Sequence, residues 1–129
     1  MRECARGMAY DKDNIFARIL RGEIPCEKVH EDDHTLAFHD INPQTPVHVL
    51  VIPKGAYIGM DDFAANASEA EIVAFVRAIG LVARQMGVVE DGYRFLANNG
   101  GDANQEVPHL HVHIFGGKPL GRMIKPADK

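Results

Sequence analysis

The sequence predicts an α+β fold, an antiparallel sheet of about five short strands carrying two helices. Three observations point there. His109-Leu110-His111-Val112-His113-Ile114 alternates strictly between histidine and aliphatic residues, the period of a strand with two unlike faces. Val47 to Ile52 is a near-continuous apolar run, the mark of a central strand covered on both sides and interrupted only by His48. Ser68-Glu69-Ala70-Glu71 is a capping box, and apolar residues follow it at helical spacing.

The elements follow in order. Ile15, Phe16, Ile19 and Leu20 form one helical stripe, with Asp13 or Asn14 as cap and Gly22 as terminator. Pro25 enforces an extended entry to two short strands, Lys28 to Glu31 and Thr35 to His39, joined by the turn Asp32-Asp33-His34. Asn42 to Pro46 is a loop set by two prolines, and the central strand comes next. Asp61 to Ala67 reads as irregular. The longest helix starts at the capping box with the stripe Ile72, Phe75, Val76, Ile79, Ala83 and Met86, and Gly87 fits its C′ position. Tyr93 to Ala97 is a fourth strand, Asn98 to Glu106 a polar glycine-bearing loop, and Leu110 to Phe115 the fifth strand. The tail to Lys129 shows no periodicity.

The chain has the length of one domain, 129 residues, and its 46% apolar and 25% charged content is ordinary for a globular protein. Residues 1–13 are expected to form a flexible N-terminal extension, with Met8 an alternative first residue, and residues 14–129 a single domain that includes the C-terminal tail. A net charge of −4 argues against a nucleic-acid partner, which requires a basic surface. No apolar run approaches the roughly 18–20 residues that cross a bilayer, so no membrane partner is expected. The N-terminus lacks the apolar segment of a signal peptide. Cys4 and Cys26 fit no C-x-x-C pattern and make no disulfide framework, which agrees with a reducing cytoplasm.

The histidine face is the chemical signal. Imidazole is a proton carrier and nucleophile near neutral pH, and also a common metal ligand. Same-face neighbours on a straight strand lie about 6.6 Å apart, too far for three to converge on one tetrahedral ion without a ligand from elsewhere, such as His48. For nucleophilic chemistry the middle residue, His111, is the candidate. The loop Gly100 to Val107 is placed to present backbone N–H groups to an anion. A neutral imidazole beside an N–H cradle suits displacement at phosphorus. His30, His34 and His39 read as surface residues.

Gln105-Glu106-Val107-Pro108-His109-Leu110-His111-Val112-His113-Ile114-Phe115-Gly116-Gly117 resembles the signature of the histidine triad (HIT) family. Gly22-Glu23-Ile24-Pro25, Ala37-Phe38-His39-Asp40-Ile41-Asn42-Pro43-Gln44 and Pro46-Val47-His48 through Pro53-Lys54 resemble its earlier blocks, so the likeness runs from about Asn14 onward. Gly116-Gly117-Lys118-Pro119-Leu120-Gly121 resembles the nucleotide-binding, purine nucleoside phosphoramidase branch.

The resemblance implies a HIT-like fold with the sheet continued across a homodimer. It implies hydrolysis of the P–N bond of a nucleoside 5′-phosphoramidate, with no metal and no cofactor. His111 would attack phosphorus and carry the nucleotide. His109 would support it, in part through its backbone carbonyl, and His113 would contact the phosphate and leaving group. His48 matches a fourth family histidine. A purine nucleoside monophosphate or phosphoramidate would lie against Phe16, Ile19, Phe38, Asp40 and Ile41. Asn98, Asn104, Gln105, Glu106 and Val107 would stand around its phosphate. Asn104 occupies a place where many relatives have glycine, and asparagine is well suited to positive φ. Glu106 stands where some relatives carry a small hydroxyl residue, so only its backbone N–H is carried over. The alternatives are a dinucleoside polyphosphate hydrolase on the same fold, a metal-binding protein, and a nucleotide-binding scaffold.

Overall fold

A computed structural model of the protein describes residues 9–124. The expectations for residues 1–8, with Cys4 and the alternative start, and for the end of the tail beyond residue 124 lie outside the described residues. In chain order the elements are α1 (Ile15–Leu20), β1 (Lys28–Glu31), β2 (Thr35–His39), β3 (Val47–Pro53), α2 (Met60–Asn66), α3 (Glu69–Gln85), β4 (Tyr93–Leu96) and β5 (Val112–Gly116), with a single 3₁₀ turn at Gly101–Ala103. The strands form one antiparallel sheet in the order β1-β2-β3-β5-β4. The α+β class and the five strands match the sequence reading. Among the described residues no helix is long and apolar enough to cross a membrane.

Strand alternation divides the core in two. Ala37, Val49, Val51, Leu110, Val112 and Ile114 face α3 and pack with its Phe75, Ala78 and Val82 and with Phe63 of α2. Leu36, Phe38, Leu50 and Ile52 face the opposite way and are covered by Phe16 of α1, with Ile19, Leu20 and Val107 at the margin. β3 therefore buries both faces, as its apolar run requires. The helix α1 is short and does not cover that second face completely. His48, His113 and Phe115 lie beside it in cross-strand register, His48 opposite Phe115 and Leu50 opposite His113. The cleft that holds the candidate site occupies this uncovered part.

Four details differ from the sequence reading. The segment read as irregular, Asp61 to Ala67, is mostly the helix α2. Its N-cap is Gly59, which has no side chain to cap with. The Met60 N–H is instead satisfied by Asn99 Oδ1 at 2.8 Å, from a loop 39 residues later. Such a cap leaves no local signature. Asp61 and Asp62 in the first turn complement the helix dipole. Secondly, Val76 is not on the buried stripe of α3 but is 63% exposed. The helix lies over β1, β2 and β3, and Val76 projects from its flank. Thirdly, β5 begins at Val112 rather than Leu110. Its partner strand ends in Pro53, which has no N–H to continue the ladder, and the Pro53 carbonyl is taken by the His109 ring. Lastly, His30, His34 and His39 are half-buried rather than fully on the surface, and His30 Nε2 lies 2.9 Å from Asp32. The α3 capping box forms as read, with Ser68 and Glu71 each holding the other's backbone N–H.

Candidate active site

A cleft of about 490 Å³ opens on the face opposite α3. Phe16, Ile19, Phe38, Leu50, Ile24, Pro25 and Cys26 form its apolar wall. Asp40, Ile41, Asn42 and Gln44 line one side, and Asn98, Asn104, Glu106 and Val107 line another. His111 and His113 lie in its floor. Most residues singled out in the sequence thus meet at one place. Ile41, 84% exposed, is a rim residue.

His111 is 6% exposed, and its Nδ1 lies 2.8 Å from the backbone carbonyl of His109. A carbonyl only accepts, so Nδ1 carries the proton and the Nε2 lone pair is left for chemistry. Phe16 meets this ring edge-on with centroids 4.9 Å apart, and the His113 ring meets it at 5.1 Å. Burial lowers the His111 pKa, while the His109 carbonyl, Asp40 and Glu106 oppose the shift. The ring is held neutral at pH 7 and so remains nucleophilic.

His48 and His113 form a defined pair. The Gln44 N–H donates to His48 Nδ1 at 3.1 Å, so the His48 proton sits on Nε2. That nitrogen lies 2.9 Å from His113 Nδ1 and 3.4 Å from Asp40 Oδ2. His113 Nδ1 is then an acceptor, and its own proton is on Nε2. Burial, followed by the neighbouring His111 and His48, lowers the His113 pKa to about 4, against the pull of Asp40. Burial also lowers that of His48, again opposed by Asp40. Asp40, His48 and His113 are the metal-sized cluster among the described residues. In it the two imidazoles are already hydrogen-bonded to each other. The three triad rings do not converge on one point, because His109 turns both its nitrogens elsewhere.

His109 does not line the cleft. It is 0% exposed, with Nε2 donating to the Pro53 carbonyl at 2.8 Å. Its Nδ1 therefore accepts, and the donor is the Tyr10 hydroxyl at 2.5 Å. Burial drives its pKa down to about 4. Tyr10 was missed by sequence reasoning, since it precedes the first periodic element and nothing in its neighbours marks it. Gln105 does not line the cleft either. Its amide nitrogen donates to the Ile58 and Val107 carbonyls, and its oxygen accepts from the Gly100 N–H. It staples the loop rather than facing a ligand. Asn104 has φ +59°, the left-handed conformation anticipated for it.

An alternating histidine strand, with its middle ring fixed by a backbone carbonyl at the floor of an apolar cleft, defines a histidine triad protein. The HIT domain model matches residues 21–120, and the chain belongs to that family. It is 68% identical over 115 residues to an uncharacterized HIT-like protein of Azospirillum brasilense, covering 89% of this chain and 94% of the relative. It is 40% identical over 113 residues to the purine nucleoside phosphoramidase of Escherichia coli, covering 88% and 94%. A solved histidine triad protein from Clostridium difficile superposes with a TM-score of 0.78 at 42% identity, over 90% of this chain and all of that one.

Proposed function

We propose that the protein is a nucleotide-binding hydrolase that cleaves the P–N bond of purine nucleoside 5′-phosphoramidates through a nucleotidyl intermediate on His111. The observation that carries this reading is the His111 Nδ1 to His109 carbonyl bond, which frees Nε2 at the floor of the cleft. The similarity to the Escherichia coli phosphoramidase supports the same reaction class.

In the first step the Nε2 lone pair attacks the α-phosphorus. A bond from phosphorus to His111 forms, the bond to the amine breaks, and the amine leaves with a proton. Neutral imidazole suits this attack because an anionic nucleophile is repelled by the phosphate oxygens. The proton for the amine comes from the Nε2–H of a protonated His113, a form favoured by Asp40 and by the phosphate charge once substrate is bound, and the neutral ring left behind takes a proton from the attacking water in the second step. Water then displaces His111 and releases a nucleoside monophosphate. The N–H groups of Glu106 and Val107 hold the phosphate oxygens, while those of Asn104 and Gln105 are spent inside the loop on the Gly101 and Gly100 carbonyls. Phe16, Ile19, Phe38 and Ile41 enclose the base, and Asp40 holds ribose hydroxyls. Gln105 acts by shaping the loop.

Charge separates the two hydrolase readings. Among the described residues that line the cleft there is no lysine or arginine, while Asp40 and Glu106 are carboxylates. A phosphoramidate monoanion tolerates such surroundings. A dinucleoside polyphosphate brings several more negative charges with no cation to meet them. Turnover of adenosine 5′-phosphoramidate, compared with diadenosine polyphosphate under identical conditions, tests the assignment. Faster cleavage of the phosphoramidate is expected, and preference for the polyphosphate overturns it.

A homodimer is part of the proposal. β4 is an edge strand, and it exposes Tyr93 and Phe95, the latter at 57%. Unpaired edges with exposed aromatics favour pairing with a second copy.

A further inference from the structure

We propose that Tyr10 is a positioning residue for His111: its hydroxyl holds the buried His109 ring, and the backbone carbonyl of His109 in turn aims the His111 imidazole. The proposal rests on the nucleophilic role assigned to His111.

His109 is fully buried, and both its ring nitrogens need partners. The Pro53 carbonyl claims the Nε2 proton, which leaves a lone pair on Nδ1. Only a donor satisfies that lone pair, and the Tyr10 phenol supplies it at 2.5 Å with the two rings edge to face, centroids 5.6 Å apart. The same residue's carbonyl accepts from His111 Nδ1 at 2.8 Å. Two hydrogen bonds in series, through His109, thus connect a residue ahead of α1 to the nucleophile. Tyr10 does not line the cleft, so it acts through His109. Phe16 packs edge-on against both rings, with centroids 6.3 Å from His109 and 4.9 Å from His111.

Removing the phenolic oxygen leaves a buried lone pair without a donor. Protonation of Nδ1 then becomes easier, because the bond that favoured the neutral ring is gone. The groups that bear on this titration are Tyr10 and Pro53 on the ring itself and the neighbouring His111. Asp40 and Glu106 act at one remove, through His111. A charged His109 beside His111 disfavours a second charge there and breaks the carbonyl's alignment.

The test is Tyr10→Phe in the full chain, read in two ways. Long-range ¹H–¹⁵N spectra of the histidine rings report tautomer and titration without reference to any substrate. In the parent protein His109 is expected as the neutral Nε2–H form. In Tyr10→Phe its Nδ1 signal shifts to that of an unbonded nitrogen, its titration moves to higher pH, and the His111 ring signals shift with it. Hydrolysis of adenosine 5′-phosphoramidate is expected to lose kcat by about tenfold with KM little changed, the pattern of a misaimed nucleophile. The acid limb of kcat is expected to move to higher pH, because in the variant it follows the raised titration of His109 rather than that of His111.

An Nδ1–H tautomer of His109 in the parent protein overturns the proposal without any variant. So does a Tyr10→Phe protein with unchanged His109 and His111 spectra, or one with lowered stability but unchanged kcat and acid limb. Should the parent protein fail to turn over phosphoramidates, the proposed function falls. The ring spectra of His109 and His111 then still decide the role of Tyr10.

Discussion

Acidification tests the buried histidines through stability. His109 has its pKa lowered from 6.5 to about 4 by burial. Below pH ~6.5 the unfolded chain takes up a proton on this ring that the folded protein refuses, so the unfolded state binds more protons and stability falls as pH falls. At about pH 7.5 the effect is negligible; at about pH 5 the imbalance is worth roughly 2 kcal/mol, and it approaches roughly 3 kcal/mol near pH 4. His113 adds in the same direction, by less than its own pKa implies because its ring opens to the cleft and is screened. Urea unfolding across this range measures the slope. His109→Gln isolates the ring, since a neutral amide donates to Pro53 and accepts from Tyr10 without titrating. The variant is expected to lose about 2 kcal/mol of the difference between about pH 7.5 and pH 5. An equal pH dependence in parent and variant refutes the claim that His109 is held neutral.

Three further outcomes follow from the packing. Phe16→Ala removes a buried ring that touches Phe38, His109 and His111, and is expected to cost about 3 kcal/mol in urea unfolding and to raise KM for the nucleotide. Asn104→Ala, at φ +59°, is expected to lose about 1 kcal/mol by the same assay, while Asn104→Gly remains near the parent value. Phe95→Asp places a charge on the exposed β4 edge; by light scattering the parent protein is expected to be the proposed dimer and the variant a monomer.

What the sequence revealed, and what it hid, follows the range of the interactions. The alternation from His109 to Ile114 was legible because a strand's two faces are a local property, and Leu110, Val112 and Ile114 do pack under α3. The Ser68 capping box was legible because both partners lie within four residues. The helix α2 was not, since its first N–H is capped by Asn99 from another loop. Tyr10 and the loop-stapling contacts of Gln105 escaped for the same reason. Tyr10 finds His109 across 99 positions, and Gln105 finds Ile58 across 47. The family resemblance named residues most of which line the cleft, and the structure places His109 and Gln105 away from it and His48 against His113.

In the proposed reaction a neutral imidazole at position 111 becomes covalently attached to the nucleotide. Rapid quenching at neutral or alkaline pH during turnover of adenosine 5′-phosphoramidate, followed by mass analysis of peptides, tests it directly. A mass gain of one adenylyl group is expected on the peptide that carries His111, absent in His111→Gly. Steady turnover with no adduct, or an adduct on another residue, contradicts it.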